Sequence, residues 1–203
     1  MRGDEYLAST LDRRPKFHLY PDIAVINGIA WDVSMYFPIL RNMSINSGFL
    51  QKITPGGELI YFRDDQLVAG IAESARDDIR RSPYSVHGYF QNARGFFAAT
   101  ESRVVPMLIF GEHNMQNLSA AKAACLSAGI TENQFYAAIK TFRGTARRLQ
   151  LVAENRGRAV YLDFAHAPSK VKATVDAVSE RYPGHRIVAC FELAILQPQC
   201  RIP

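Results

Sequence analysis

The stretch that most constrains this chain is a junction between two kinds of sequence. Val104 to Phe110 reads Val-Val-Pro-Met-Leu-Ile-Phe, a nearly continuous apolar run. After Gly111, the polar residues Glu112-His113-Asn114-Met115-Gln116-Asn117 open a segment, Leu118 to Ala128, rich in Ala, Leu and Cys. A short apolar run without polar alternation predicts a buried strand, and the change of composition behind a glycine predicts a turn into a helix. α/β proteins hold ligands at such turns, where polar groups of the helix face the carboxyl ends of the strands.

Reading outward, Ile23-Ala24-Val25-Ile26 predicts a second buried strand, ended by Asn27-Gly28, with Trp31-Asp32 in its exit loop. Pro55-Gly56-Gly57 makes a turn before a short strand from Glu58 to Phe62. Asp64-Asp65 can cap a helix over roughly 66 to 81, with Leu67, Ile71, Ala75 and Ile79 on one face. Ser85 to Phe90 and Gly95 to Ala99 read as a hairpin at the edge of an otherwise parallel sheet. Gly129 suits a left-handed cap on the central helix, and Thr131 with Gln134 predicts a capping box for a helix carrying Phe135, Ile139 and Phe142.

Past Arg143-Gly144 a fresh pattern begins, so a hinge is expected over Thr145 to Gln150. Ala159 to Leu162 reads as a strand, Asp163 to Pro168 as a loop, and 170 to 182 as a helix with Val171, Val175, Val178 and Tyr182 on one side. Arg186 to Phe191 should return as a strand parallel to the first, completing one β-α-β unit. The expected division is therefore residues 1–144 and 145–203, an α/β chain with a mixed sheet followed by the start of a second sheet. A single β-α-β unit leaves sheet edges bare, so the chain is expected to stop inside its second domain.

Composition narrows the function classes. There is no apolar run of about 18 residues, so no membrane span is expected. Met1-Arg2-Gly3-Asp4-Glu5-Tyr6 turns acidic at once with no apolar segment behind it, which argues against a signal peptide and for a cytoplasmic protein. The net charge of +5 is scattered, without a basic stripe or an aromatic platform, so a nucleic-acid surface is only weakly signalled, no nucleic-acid partner is expected, and phosphate-bearing small molecules fit the excess equally well. Cys125, Cys190 and Cys200 lack metal-like spacing and read as two buried thiols and one in the tail. No G-x-x-x-x-G-K-[ST] loop occurs in the chain.

Several residues are candidates for chemistry. His113, Asn114 and Asn117 fall in the first turns of the central helix, with Asn114 and Asn117 three apart and on one face. Their amides can donate and accept, as an adenine edge requires; equally, one of them can simply cap the helix. Arg147 and Arg148 at the hinge could clamp a phosphoryl group, or be solvated charge. Asp163 and His166 follow the carboxyl end of a strand, where an acid accepts from ribose hydroxyls or braces its loop. Asp4 and Glu5 form an acidic pair of the type that binds magnesium, or a solvated pair. His18 and His87 have no metal-like companions and suit core or surface roles.

Three of these groups, taken in order and separation, resemble the Mur ligase family of ATP-dependent amide-forming enzymes of peptidoglycan synthesis. They are Gly111-Glu112-His113-Asn114 with Asn117, Phe142-Arg143-Gly144 with Arg147-Arg148, and Asp163-Phe164-Ala165-His166 with Pro168. Gly3-Asp4-Glu5-Tyr6 and Arg14-Pro15-Lys16-Phe17 look most like the peptidoglycan-recycling branch, and the resemblance runs from residue 3 to about Glu192. It implies the latter part of a central, P-loop NTPase-like ATP-binding domain over 1–144, then the first β-α-β unit of a Rossmann-like C-terminal domain over 145–203. It implies ATP and Mg2+ as cofactors, with Asn114 and Asn117 at adenine, His113 and His166 beside the nucleotide, Asp163 at ribose, Arg147 at the γ-phosphate and Asp4 with Glu5 at the metal. In the intact enzyme it implies UDP-N-acetylmuramate and L-alanyl-γ-D-glutamyl-meso-diaminopimelate as substrates, joined through an acyl phosphate. Relatives carry Asp-His where this chain has Asp32-Val33, and a Glu upstream of the Asp-Glu pair that is missing here. With the phosphate loop also missing, the chain alone is expected neither to hydrolyse ATP nor to ligate. The alternative is a non-catalytic nucleotide- or partner-binding remnant.

Overall fold

The computed structural model describes residues 20–29 and 48–191. The readings that rest on Asp4, Glu5, Arg14 to Phe17, His18, Trp31 to Val33 and Cys200 lie outside these residues. Strands β1 (Ile23–Ile26), β2 (Glu58–Phe62) and β3 (Arg80–Tyr84) form a parallel sheet in that order. Leu59 and Ile60 on the central strand are both fully buried. Successive strand residues point to opposite faces, so this is possible only if both faces are covered. Leu59 packs with Ala24, Ile26, Ile53 and Val68, whereas Ile60 packs with Tyr84 and Ala120.

Helix α1 (Gln66–Glu73) covers the first face and is capped by Asp65, whose carboxylate accepts from the Leu67 and Val68 amides at 2.9 and 3.2 Å. The sequence predicts a helix to residue 81, but it ends at Glu73 because the arginines that follow have better partners. Arg76 donates to the Gln51 and Ile53 carbonyls and to Asp78, and Arg81 donates to the Ala72 and Ala75 carbonyls at the helix end. Ala75 and Ile79 then reach the core from a loop, and Arg80 starts β3 beside β2. Pro83 is tolerated there because β3 is an edge strand of this sheet among the described residues.

Strands β4 (Tyr89–Asn92), β5 (Gly95–Ala99) and β6 (Val104–Met107) make a separate antiparallel sheet. The hairpin begins at Tyr89 rather than Ser85, and it is not the edge of the parallel sheet. The run from Val104 is likewise not buried on both faces. Val105 and Met107 are buried, whereas Val104 and Leu108 are more than half exposed. Pro106 explains the edge position, since it has no amide to donate to a further strand.

Helix α2 (Glu112–Ser127) lies between the two sheets, giving Ala120, Ala123 and Ala124 to the parallel one and Met115 and Leu118 to the antiparallel one. Helix α3 (Glu132–Ile139) starts with the predicted capping box of Thr131 and Gln134 and buries Phe135 and Tyr136. His87 is a core residue: its Nε2 lies 2.5 Å from the Tyr136 hydroxyl and its Nδ1 2.8 Å from the Gly88 carbonyl.

The C-terminal part departs further from expectation. Residues Gln150–Asn155, of which the expected hinge reached only Gln150, form β7, which pairs antiparallel with β8 (Arg158–Leu162). Arg156 and Gly157 between them both have positive φ, 46° and 74°, the geometry that a two-residue hairpin turn requires. Helix α4 (Pro168–Arg181) follows, but Arg186 to Phe191 forms no strand. A strand exists only with a partner ladder, and none lies beside this segment among the described residues. Val188 and Cys190 are consequently exposed, so the reading of Cys190 as a buried thiol is also corrected. Among the described residues no helix is long and apolar enough to cross a membrane.

Candidate functional site

Gly111 fixes how the central helix meets the C-terminal unit. Its φ of 86° suits glycine, and a Cβ at this position would lie 2.4 Å from the Cβ of Ala177 on α4. That contact, with Ala177 buried, brings α4 across the start of α2. Two polar clusters flank this meeting point.

The first joins the hinge arginines to the loop after β8. Asp163 accepts from the Leu149 amide at 2.7 Å and the Ala165 amide at 2.6 Å, and the Phe164 amide donates to the Arg147 carbonyl at 2.8 Å. These bonds staple 147–149 to 163–165, so Arg147, Arg148 and Asp163 form one group although 14 positions separate Leu149 from Asp163. Arg147 and Leu149 take positive φ, 57° and 44°, which turns the chain sharply at this point. Phe164 lies under the Arg148 guanidinium at 6.0 Å and against the His166 ring at 5.2 Å. His166 itself is exposed, with Nδ1 3.0 Å from the Phe164 carbonyl.

His113 belongs to this cluster from the other side. Burial holds its imidazole below the ordinary range, Asp163 pulls it back up, and Arg148 pushes it down again. The structure thus brings the start of α2 within electrostatic reach of the hinge and of the loop acid, three stretches that the sequence reading singled out separately.

Asn117 faces the second cluster. Its Oδ1 accepts from Asn27 Nδ2 at 2.6 Å, and the Asn27 carbonyl accepts from Gln116 Nε2 at 2.5 Å. Tyr84 donates its hydroxyl to Asn27 Oδ1, and burial pushes that phenol up to about 12. Asn27, Tyr84 and Gln116 were not picked out by sequence reasoning. Asn27-Gly28 had registered only as the end of a strand, although the carboxyl ends of parallel strands are where such polar groups gather. Asn114 stands between the clusters, its Nδ2 bonded to the Phe110 carbonyl at 2.8 Å, which leaves its Oδ1 as an acceptor.

The donor set fits a nucleoside triphosphate in kind. Asn114 offers an acceptor and Asn117 retains its NH2 donors, which are the groups a purine edge needs, and Arg147 offers a guanidinium to phosphate oxygens. Each Asp163 oxygen already accepts one amide and keeps a lone pair for a hydroxyl. Among the described residues no group of three or more His, Cys, Asp or Glu side chains could hold a metal ion.

Residues 147–202 match the family model described as Mur ligase, glutamate ligase domain. The match extends beyond Glu192, the end of the motif resemblance. The chain is 26% identical over 204 residues to the UDP-N-acetylmuramate–L-alanine ligase of Desulfitobacterium hafniense, covering 94% of this chain and 45% of that protein. It is 30% identical over 208 residues to the UDP-N-acetylmuramate–L-alanyl-gamma-D-glutamyl-meso-2,6-diaminoheptandioate ligase of Escherichia coli, covering 95% and 44%. The crystal structure of a murein peptide ligase from Psychrobacter arcticus superposes with a TM-score of 0.62 at 21% identity, over 91% of this chain and 40% of that one, which shows the shared α/β fold. The chain therefore spans less than half the length of these relatives. From the motif order, the sequence matches along almost its whole length and the common fold, the chain belongs to the Mur ligase family.

Proposed function

We propose that this chain is the nucleotide-contacting portion of an ATP-dependent acid–amino-acid ligase that acts on the carboxylate of UDP-N-acetylmuramate. The observation that carries the reading is the hydrogen-bonded staple of 147–149 to 163–165, beside the Gly111–Ala177 contact that brings α4 to the start of α2. The boundary between the ATP-binding portion and the C-terminal portion falls at 144/145, and Arg147 at that boundary serves the transferring phosphoryl group. Asn114 and Asn117 hold the adenine, His113 and His166 line the nucleotide, Asp163 holds the ribose, and Asp4 with Glu5 serve Mg2+.

Bound ATP supplies the phosphoryl group that converts a carboxylate into an acyl phosphate open to an amine. The chain's own residues orient the base, present a fixed positive charge and keep water from the reacting carboxylate. UDP-N-acetylmuramate is the substrate named for both the Desulfitobacterium hafniense and the Escherichia coli ligase. The peptide L-alanyl-γ-D-glutamyl-meso-diaminopimelate is the proposed amine, following the recycling-branch motifs. Because the sequence lacks a phosphate loop, the chain alone binds nucleotide weakly and does not turn it over.

The test is a titration of the purified chain with ATP and Mg2+, followed by amide NMR shifts and by ADP release. Saturable shifts at 111–117 and 163–166, lost in Asn117→Ala, with no ADP formed, are expected. Shifts confined to other surfaces would overturn the nucleotide assignment, and ADP release would overturn the claim of inactivity.

A further inference from the structure

A second recess lies away from the residues just assigned. The β4–β5 turn, the segment after α3, the β7–β8 hairpin and the carboxyl end of α4 enclose a cleft of about 660 Å³. That volume is in the range of small-molecule sites. None of His113, Asn114, Asn117, Arg147, Asp163 or His166 lines it.

Its charge is one-sided. Arg94, Arg143 and Arg181 reach the cleft from three elements distant in sequence, and Glu154 is its one carboxylate. Among the described residues none of the three arginines is in a salt bridge. Converging cations of this kind repel one another, and an anion between them relieves the repulsion.

The walls are aromatic. Arg181 sits over the faces of Phe96, Phe110 and Tyr182, with its guanidinium carbon 5.8, 6.0 and 5.7 Å from the ring centres. Ring faces hold the cation in place yet accept none of its N–H groups, so the fork remains available to a carboxylate. The Tyr161 and Tyr182 hydroxyls, 2.7 Å apart, bond each other, and both residues line the cleft. Leu151, nearly half exposed, extends that surface along β7.

We propose that this cleft binds a small aromatic anion, a flat ring system bearing a carboxylate, with Arg181 and Arg143 on the carboxylate and Leu151 and Tyr161 against the ring. This site is independent of the ligase reading, since it shares no assigned residue with it. Recognition needs both parts of the ligand: a ring without charge leaves the arginines unrelieved, and a charge without a ring leaves the apolar wall wet.

The test is a titration of the full chain with 2-naphthoate, its neutral isostere 2-naphthamide, and inorganic phosphate, read from the arginine Nε–H and backbone amide signals. Saturable shifts at Arg143, Arg181 and Leu151 are expected with 2-naphthoate, at an affinity at least tenfold above that of either control. Arg143→Gln, an exposed change, and Arg181→Gln should each weaken naphthoate at least fivefold, with little effect on naphthamide. Equal affinity for naphthoate and naphthamide would overturn the proposal, as would shifts at 111–117 and 163–166 in place of the cleft, or an unchanged affinity in Arg143→Gln.

Discussion

Strands β2 and β7 are similar in length and opposite in setting. β2 lies between two partner strands with a helix on either face, and its first three residues are buried, including the carboxylate of Glu58, which accepts from Ser82 and Arg80. β7 has one partner, and all six of its residues are exposed. The difference teaches where cohesion resides. The parallel module holds itself together through its own strands and α1. The C-terminal unit is held by a few anchors, Leu149, Ala167 and Ala177, sunk against other elements.

The sharpest way to break this comparison is a matched pair of substitutions. Leu59→Ala should destabilise the chain by about 2–5 kcal/mol, because a fully buried leucine loses both transfer energy and packing. Val160→Thr on β8, where the side chain is 57% exposed, should change stability by no more than about 0.5 kcal/mol in the same urea titration. Similar values for the two would mean that the hairpin is not the loosely held region described above.

Gly111→Val should come next, at about 2–4 kcal/mol, combining positive φ with a clash against Ala177. Hydrogen exchange should show where the loss falls. Faster exchange in β7, β8 and α4 with β1 to β3 unchanged would confirm that this contact is the anchor, and uniform acceleration would contradict it.

Acid should act more gently, through two histidines. Burial holds His87 below its ordinary value, with the Gly88 carbonyl and Glu132 pulling up and Lys122 pushing down, and His113 is lowered chiefly by burial as well. The unfolded chain takes up these protons first, at about pH 6.5, so stability is full above that value and falls as pH drops toward the lower folded values. Urea titrations at pH 7.5 and 5.5 should show the decline, with His87→Gln and His113→Gln each removing part of it. An unchanged slope in both variants would refute the assignment. The smallest distinct effect is expected from Thr131→Ala, about 1 kcal/mol, through loss of the α3 capping box.

Much of this was legible in the sequence wherever local chemistry and tertiary setting agreed. Thr131 with Gln134, the strand at Ile23 and the turn at Gly111 each needed only their neighbours. The prediction failed where one pattern serves two structures. Ala75 and Ile79 keep a helical spacing, yet Arg76 finds the Gln51 and Ile53 carbonyls, Arg81 turns back on the end of α1, and the helix stops, a decision no local window contains. Gln150 to Asn155 carries too little apolar alternation to announce a strand, and β7 exists because Arg156-Gly157 folds it onto β8. At the proposed site, the amides and arginines are candidates that spacing alone brings forward. Asn27 could not, because its partners Tyr84 and Gln116 lie 57 and 89 residues away.

Helix α2 is the wall both sheets lean on, small residues on one side and Met115 with Leu118 on the other. A beam that two rooms share cannot be remodelled for one tenant alone. Substitutions on its opposite sides should therefore show epistasis, and the first turns that carry Asn114 and Asn117 inherit their position from both halves at once.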